Sequence, residues 1–217
     1  MGTDHTLVAQ WTINNVTFDS DWKTQIAGTT NGIGVAIDTI TSLRFVPYAP
    51  SGYTDSGKIL KSGINIYTGS TSKDIAFVWA ATIYAPVDCT ELFSSLCSCT
   101  SIEFSNFDTS NVTNMSGMFT NCQLLTSMSL LRHDTSKVTD MSNMFSYCTS
   151  LTSINLVCVA NNVTNMSGMF QYCQSLEYID IDSRLFDTSK VTDMSSMFEM
   201  CMRLTSLDLS SFNTSNV

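Results

Sequence analysis

The chain has 217 residues, 43% of them hydrophobic and only three of them proline, so it is long enough for one large or two small packed domains and too apolar for disorder. A formal net charge of −9 and a pI near 4.4 exclude the basic footprint of nucleic-acid binding and attraction to an anionic membrane surface. No apolar run approaches the roughly 20 residues of a membrane-spanning helix, and residues 1–5 lack the basic and apolar stretches of a signal peptide; a processed chain, a fragment of a longer one and a virion component are the three expectations.

Residues 1–85 carry no repeat. Strand-like alternation runs over 6–18, 34–46, 58–67 and 74–84, with turn signals at 30–32, 47–57 and 68–71. Ile64 and Ile66, then Thr68 and Gly69, then Ile75, Phe77 and Trp79 predict a hairpin. Residues 19–27 predict one or two helical turns with Trp22 and Ile26 on one face, and 75–80 is apolar enough for a fully buried strand. The expectation is a small β-rich cap or anchor domain over 1–85.

From residue 112 an eight-residue phrase, V-T-x-M-S-x-M-F, recurs at Val112, Val138, Val163 and Val191, so the starts are 26, 25 and 28 residues apart, and Val217 stands where a fifth copy would begin. Each copy continues as F-x-x-C-x-x-L-x-x-I-x-L, with Met, Ile or Leu in the penultimate apolar position and Leu or Ile in the last. A degenerate copy precedes them through Cys89, Leu92, Phe93, Leu96, Cys99, Ile102 and Phe104. A period of this length marks stacked repeats. Val112, Met115, Met118, Phe119 and Cys122 fall at helical spacing, with Thr113 or Asn114 (Thr139 or Asp140 in the next copy) as helix caps. Met128 and Leu130 alternate with Ser127 and Ser129 as in a strand.

The run from Phe107 to Cys122, F-D-T-S-N-V-T-N-M-S-G-M-F-x-x-C, with its L-x-x-I-x-L strands, resembles the BspA-like leucine-rich-repeat surface proteins over residues 86–217. The resemblance implies a curved solenoid displayed on bacterial or protist surfaces and sometimes on phage particles, used in adhesion or protein recognition without shared catalytic residues. The loop position that usually holds Asn carries Phe107, His133 or Phe212 here, so curvature cannot be borrowed from the ordinary horseshoe. Together these readings predict an α+β solenoid: leucine-rich-repeat-like coils, a short strand plus a short helix per ~26 residues, behind the N-terminal β-rich cap. One degenerate coil, four clear coils and the start of another fill 86–217.

Catalytic readings find little support. His5 and His133 have no partner that the sequence points to, and no nucleophile elbow, P-loop or dinucleotide fingerprint is present. A nucleophile–base pair or metal constellation would be needed for an enzyme, and none is legible, so no cofactor is expected. The eight cysteines invite a disulfide reading, but Cys122, Cys148, Cys173 and Cys201 share one column and read as a reduced, buried ladder. The pair Cys97 and Cys99 lacks a matching pair for zinc, and Cys158, off the column, is the expected reactive thiol. Met115, Met141, Met166 and Met194 read as core, not copper ligands. Asn15, Asn111, Asn114, Asn162, Asn165 and Asn213 begin N-x-S/T triplets that capping explains better than glycans.

The predicted structural ladder is Met118, Phe119 and Cys122; Met144, Phe145 and Cys148; Met169, Phe170 and Cys173; Met197, Phe198 and Cys201. The predicted ligand row lies between the buried strand residues: Ser127, Ser129, Ser153, Asn155, Tyr178, Asp180, Asp182, Ser206 and Asp208, with Glu103, Ser105 and Ser210 at its ends. Tyr178 would be its centre, as exposed aromatics supply hot spots; Asp180 and Asp182 fall short of a calcium site. An apolar cross-section of Met197, Phe198, Leu204, Leu207 and Leu209 predicts a longer parent chain or packing on another copy. The expected function is non-catalytic recognition of a protein or glycan on a host or neighbouring cell, displayed on a bacterial surface. Alternatives are a phage virion structural or receptor-binding component, and a scaffold with no specific ligand.

Overall fold

A computed structural model describes residues 16–27, 35–60, 62, 64–70, 73–130 and 133–217. The strand expected before residue 16, the turn at 30–32, His5 and Asn15 lie outside the described residues. In chain order the elements are β1 (Val16–Thr17), α1 (Trp22–Ala27), a 3₁₀ turn (Ile37–Thr39), β2 (Ser42–Val46), β3 (Thr54–Ile59), β4 (Asn65–Thr68), β5 (Asp74–Val78), β6 (Ile83–Tyr84), β7 (Ser101–Phe104), β8 (Phe107–Asp108), β9 (Ser127–Ser129), β10 (Ser153–Leu156) and β11 (Tyr178–Ile181). They form three sheets: a five-stranded one in the order β3-β4-β5-β2-β7, and two three-stranded ones, β1-β6-β8 and β11-β10-β9.

The hairpin around Thr68 and Gly69 forms, with Ile66 opposite Phe77 and Thr68 opposite Ile75. Gly69 is required there: a Cβ would come within 2.8 Å of the Asp74 Cβ. Trp22 and Ile26 of α1 are both fully buried. β3 occupies part of the segment that the sequence marks as a turn. It is a bulged outer strand, and such edges carry polar residues in place of an apolar alternation. The long strand expected over 34–46 is shortened to β2, because residues 37–39 form the 3₁₀ turn.

The expected α+β leucine-rich-repeat solenoid is not what the chain forms. The fold is mostly sheet, divided among three separate sheets, and α1 is the one α-helix among the described residues. Where the sequence predicts a helix in each repeat, the chain makes a run of turns. The cause is backbone handedness. Two residues per repeat adopt positive φ: Gly117 and Asn121, Asn143 and Tyr147, Gly168 and Tyr172, Ser196 and Met200. Each such residue breaks a right-handed helix. Short bonds from Met118 N–H to the Met115 carbonyl and from Thr120 N–H to the Gly117 carbonyl close successive turns. Every second N–H then points along the stack. Those of Met115, Gly117, Phe119 and Asn121 donate to the carbonyls of Asp140, Ser142, Met144 and Ser146 in the following repeat, and the same four-bond pattern joins each later pair. An α-helix would have kept those donors for its own carbonyls.

Non-Gly residues at positive φ cost roughly 1–3 kcal/mol each; the inter-repeat bonds offset that cost. The Asn or Asp of each phrase fixes the first turn. Asn114, Asp140, Asn165 and Asp193 each accept, through Oδ1, the backbone N–H two residues on, at 2.8–3.0 Å. They organise turns rather than cap helices.

Stacking places one phenylalanine per repeat in a single column. Phe93, Phe119, Phe145, Phe170 and Phe198 lie ring on ring, with centroids 5.4–5.7 Å apart and planes within 17°. One continuous core runs from Phe18 through this column to Met197. It crosses residue 85 without a break, because β2 pairs with β7 and β6 with β8. α1 closes the first repeat: the Trp22 indole donates to the Leu92 carbonyl at 2.9 Å, and Lys23 Nζ donates to the carbonyls of Glu91 and Ser94 and to Ser94 Oγ. At the opposite end, the Met194, Ser196, Phe198 and Met200 N–H groups have no repeat to donate to among the described residues.

Candidate functional site

β9, β10 and β11 are parallel and in register, so the polar residues between their buried ones line up across the sheet. Ser127, Ser153 and Tyr178 form one row; Ser129, Asn155 and Asp180 form the next. Met128, Ile154 and Ile179 point the other way, into the core. Ser127 and Ser129 are exposed, Ser153, Asn155 and Asp180 half-buried, and Tyr178 is 60% exposed. The Asn155 amide donates to Asp180 Oδ2 at 2.8 Å, and Asn155 Oδ1 accepts the Val157 N–H, which fixes the amide's orientation. The result is a flat strip of hydroxyls, one amide and one carboxylate beside a free phenol ring.

Three residues of the predicted row stand outside this strip. Asp182 accepts the Arg184 backbone N–H, Nε and Nη2 at 2.6–3.0 Å. The Arg184 side chain, then its backbone N–H, pushes the Asp182 carboxyl down to about 2. Its oxygens are committed to Arg184. Ser206 and Asp208 lie on a segment that forms no strand, and Asp208 accepts the Ser210 N–H. At the rim, Arg203 pairs with Glu177, a contact between repeats that the repeat pattern does not signal. A second aromatic feature went unread. Tyr147 and Tyr172 stack at 4.6 Å on another face; their shared place directly before the column cysteines is the signal that could have found them.

The ladder residues Met118, Phe119, Cys122, Met144, Phe145, Cys148, Met169, Phe170, Cys173 and Met197 are buried; Phe198 and Cys201 of the last repeat are half-buried. All eight cysteines are free thiols. Each column thiol donates to the phenylalanine carbonyl of the preceding repeat, Cys122 to Phe93, Cys148 to Phe119, Cys173 to Phe145 and Cys201 to Phe170, at 3.1–3.2 Å. Burial pushes the Cys122, Cys148 and Cys173 thiols far up, and Cys201 to about 11. Cys158 is not the reactive thiol. It is buried, and desolvation raises it to about 12. Cys97, half-buried, is the more accessible group outside the column and meets Asn121 through two 3.6 Å contacts. Native chain treated with iodoacetamide at pH 8 should therefore be labelled first at Cys97, with Cys122, Cys148, Cys158 and Cys173 unmodified until denaturant is added. Peptide mass mapping would show it, and early labelling of Cys158 would overturn the assignment.

His133 is half-buried beside Phe104, ring edge to face at 5.1 Å, and its Nδ1 has no hydrogen-bond partner among the described residues. Burial lowers its pKa, the Leu130 carbonyl opposing. Among the described residues no carboxylate is bonded to Nδ1 to orient the ring as a base. Met115, Met141 and Met166 are core residues, and Met194 packs at its edge. Several sequon asparagines are held by the stack: Lys137 donates to Asn111, and Asn162 donates to the Ser136 carbonyl while accepting from Lys190. Among the described residues, no three metal-ligating side chains converge. At the last repeat, Met194, Met197, Phe198, Leu209 and Phe212 line a recess of about 530 Å³.

Residues 87–178 and 158–217 match the family described as "Mycoplasma protein of unknown function, DUF285", so the two matches together cover more than half of the chain. No curated protein and no solved structure matches it.

Proposed function

The chain belongs to the DUF285 family, and we propose that this protein is a non-catalytic recognition module that binds a protein or glycan through the outward face of β9, β10 and β11. The observation that carries this reading is the in-register strip itself. Its floor is fixed by strand pairing and by the hydrogen bond from Asn155 to Asp180, and a largely exposed tyrosine stands at its edge. Small hydroxyls beside one aromatic ring suit polar ligands that stack a flat or apolar face on the ring while exchanging hydrogen bonds with the floor. A net charge of −9 disfavours nucleic acid as the ligand. The resemblance of the repeat phrase to the BspA-like surface proteins supports display at a cell surface, where the ligand would sit on a host or neighbouring cell.

Screening the 217-residue chain against glycan and host-protein arrays supplies the ligand, and a double variant, Tyr178→Ala with Asp180→Ala, tests the face. The variant should lose about tenfold or more in affinity while keeping the wild-type melting curve. Unchanged affinity in the folded variant would remove the strip from the binding site.

A further inference from the structure

The five-stranded sheet ends at β7 and the β11-β10-β9 sheet begins at β9, although these strands come from consecutive repeats. The backs of the same two repeats are fully joined: Cys89, Glu91, Phe93 and Ser95 donate to the carbonyls of Asn114, Ser116, Met118 and Thr120. On the strand side the bonding stops. Thr100 N–H donates to the Thr41 carbonyl and Thr152 N–H to that of Thr126, but no bond of this column joins Thr126 to Thr100. The two repeats are thus hinged together behind and parted in front. A cleft of about 520 Å³ lies between them, walled by β7 on one side and β9 on the other, with His133 at its end.

Both walls are strand edges. Leu130 N–H donates to the Asn155 carbonyl at 3.0 Å, so Met128 and Leu130 turn their peptide groups toward β10. Ser127 immediately precedes Met128, is in the opposite phase and turns its own toward the cleft, because alternate residues of a parallel strand serve opposite neighbours. By the same phase one repeat earlier, Ile102 and Phe104 offer their peptide groups from the other wall. Neighbouring strands sit about 4.8 Å apart, and β7 and β9, which would be neighbours by repeat order, do not pair.

We infer that this cleft is a strand-addition site, which takes one extended peptide segment of a partner protein between β7 and β9 and so joins two sheets into one. β7 has four residues and β9 three, which sets the inserted length at about four residues, or roughly 13 Å. Main-chain bonds to Ser127 on one side and to Ile102 and Phe104 on the other would hold it. Its inward side chains would meet Phe104 and Met128, and a hydroxyl there could supply the partner that His133 Nδ1 lacks. The mode is recognition by backbone complementarity. It is independent of the Tyr178 strip, so either can fail without the other.

The probe is the acetylated and amidated hexapeptide with the sequence of residues 152–157, which contains β10, a strand this fold already holds between two parallel neighbours. Titrated into the ¹⁵N-labelled 217-residue chain, it should shift the Ser127, Ile102 and Phe104 amides and slow their hydrogen exchange at least tenfold. Ser127→Pro removes the cleft-facing donor while leaving the β10-facing groups of Met128 and Leu130 in place, and should abolish the effect. Exchange at Met128 and Leu130 reports whether that variant is folded, and the wild-type titration stands without it. Tyr178→Ala should leave the titration unchanged. Shifts confined to Ile179 and Ile181, whose peptide groups face the free edge of β11, would mean edge addition there, and would overturn the proposal. So would the absence of any shift, or protection of Ser127 that grows with protein concentration before peptide is added, which would make a second copy the occupant.

Discussion

Replacing Phe145 with alanine should destabilise the fold by about 3–5 kcal/mol, the largest loss expected from any single core truncation in the repeats. The ring is fully buried and lies between Phe119, 5.4 Å away, and Phe170, 5.7 Å away, with both neighbours nearly parallel to it. Its removal empties the middle of the column, and the gap cannot collapse. The backbone on both sides is pinned by bonds between repeats, from Phe119 N–H to the Met144 carbonyl and from Phe145 N–H to that of Met169. Urea melts of wild type and variant give the difference directly. The equivalent change at Phe198, half-buried at the last repeat and stacked on one ring only, should cost clearly less. Equal losses at the two positions would show that the column does not act as a stack.

The second large effect belongs to Trp22. Truncation to alanine should also cost about 3–5 kcal/mol by lost packing, since the indole is fully buried against Phe18, Phe77 and Phe93. A further contribution separates from the first. The indole N–H serves the Leu92 carbonyl, and a buried acceptor left unpaired costs about 1–3 kcal/mol. Trp22→Phe keeps much of the volume and loses the donor, so it should fall in that lower range. A phenylalanine variant as stable as wild type would show that the Leu92 carbonyl finds another partner and that α1 serves as packing alone.

Much of the chain could be read from its sequence because burial repeats with it. The alternation around Ile66 and Phe77 marks a hairpin, Trp22 and Ile26 mark the inner face of α1, and the recurrence of Phe, Cys and Leu marks columns that can only be internal. The helical reading of the repeats failed for an identifiable reason. Met115, Met118 and Phe119 fall at spacings that an α-helix would bury on one side, yet linked turns with a left-handed residue at Gly117 and another at Asn121 bury the same positions. Periodicity reports which side chains go inward and says nothing about where the N–H groups point. Gly117 and Gly168 were the available hint, but Asn143 and Ser196 hold the same conformation without glycine. On the candidate face, the outward phase of Ser127, Ser153 and Tyr178 followed from strand alternation. The commitment of Asp182 to Arg184 did not, because it depends on a turn beyond the strand. Nor could the gap between β7 and β9 be anticipated, since the repeat spacing across it, 26 residues, matches the pairs that do join.

The rows of inter-repeat bonds have an electrical consequence. In each of the four rows, every peptide group points the same way, N–H toward the last repeat and carbonyl toward the first. Each group carries about 3.5 D, so the stack is a macrodipole built across repeats instead of along a helix. Its negative pole lies at the first repeat, where the Lys23 ammonium rests on the Ser94 carbonyl that begins one of those rows. The pole is made by the carbonyls that begin the rows, where the dipole acts on nearby charge. The Lys23 ammonium in the six-residue helix α1 thus meets the carbonyl end of a bonded row, and the two ends of the stack are electrically unlike before any side-chain charge is counted.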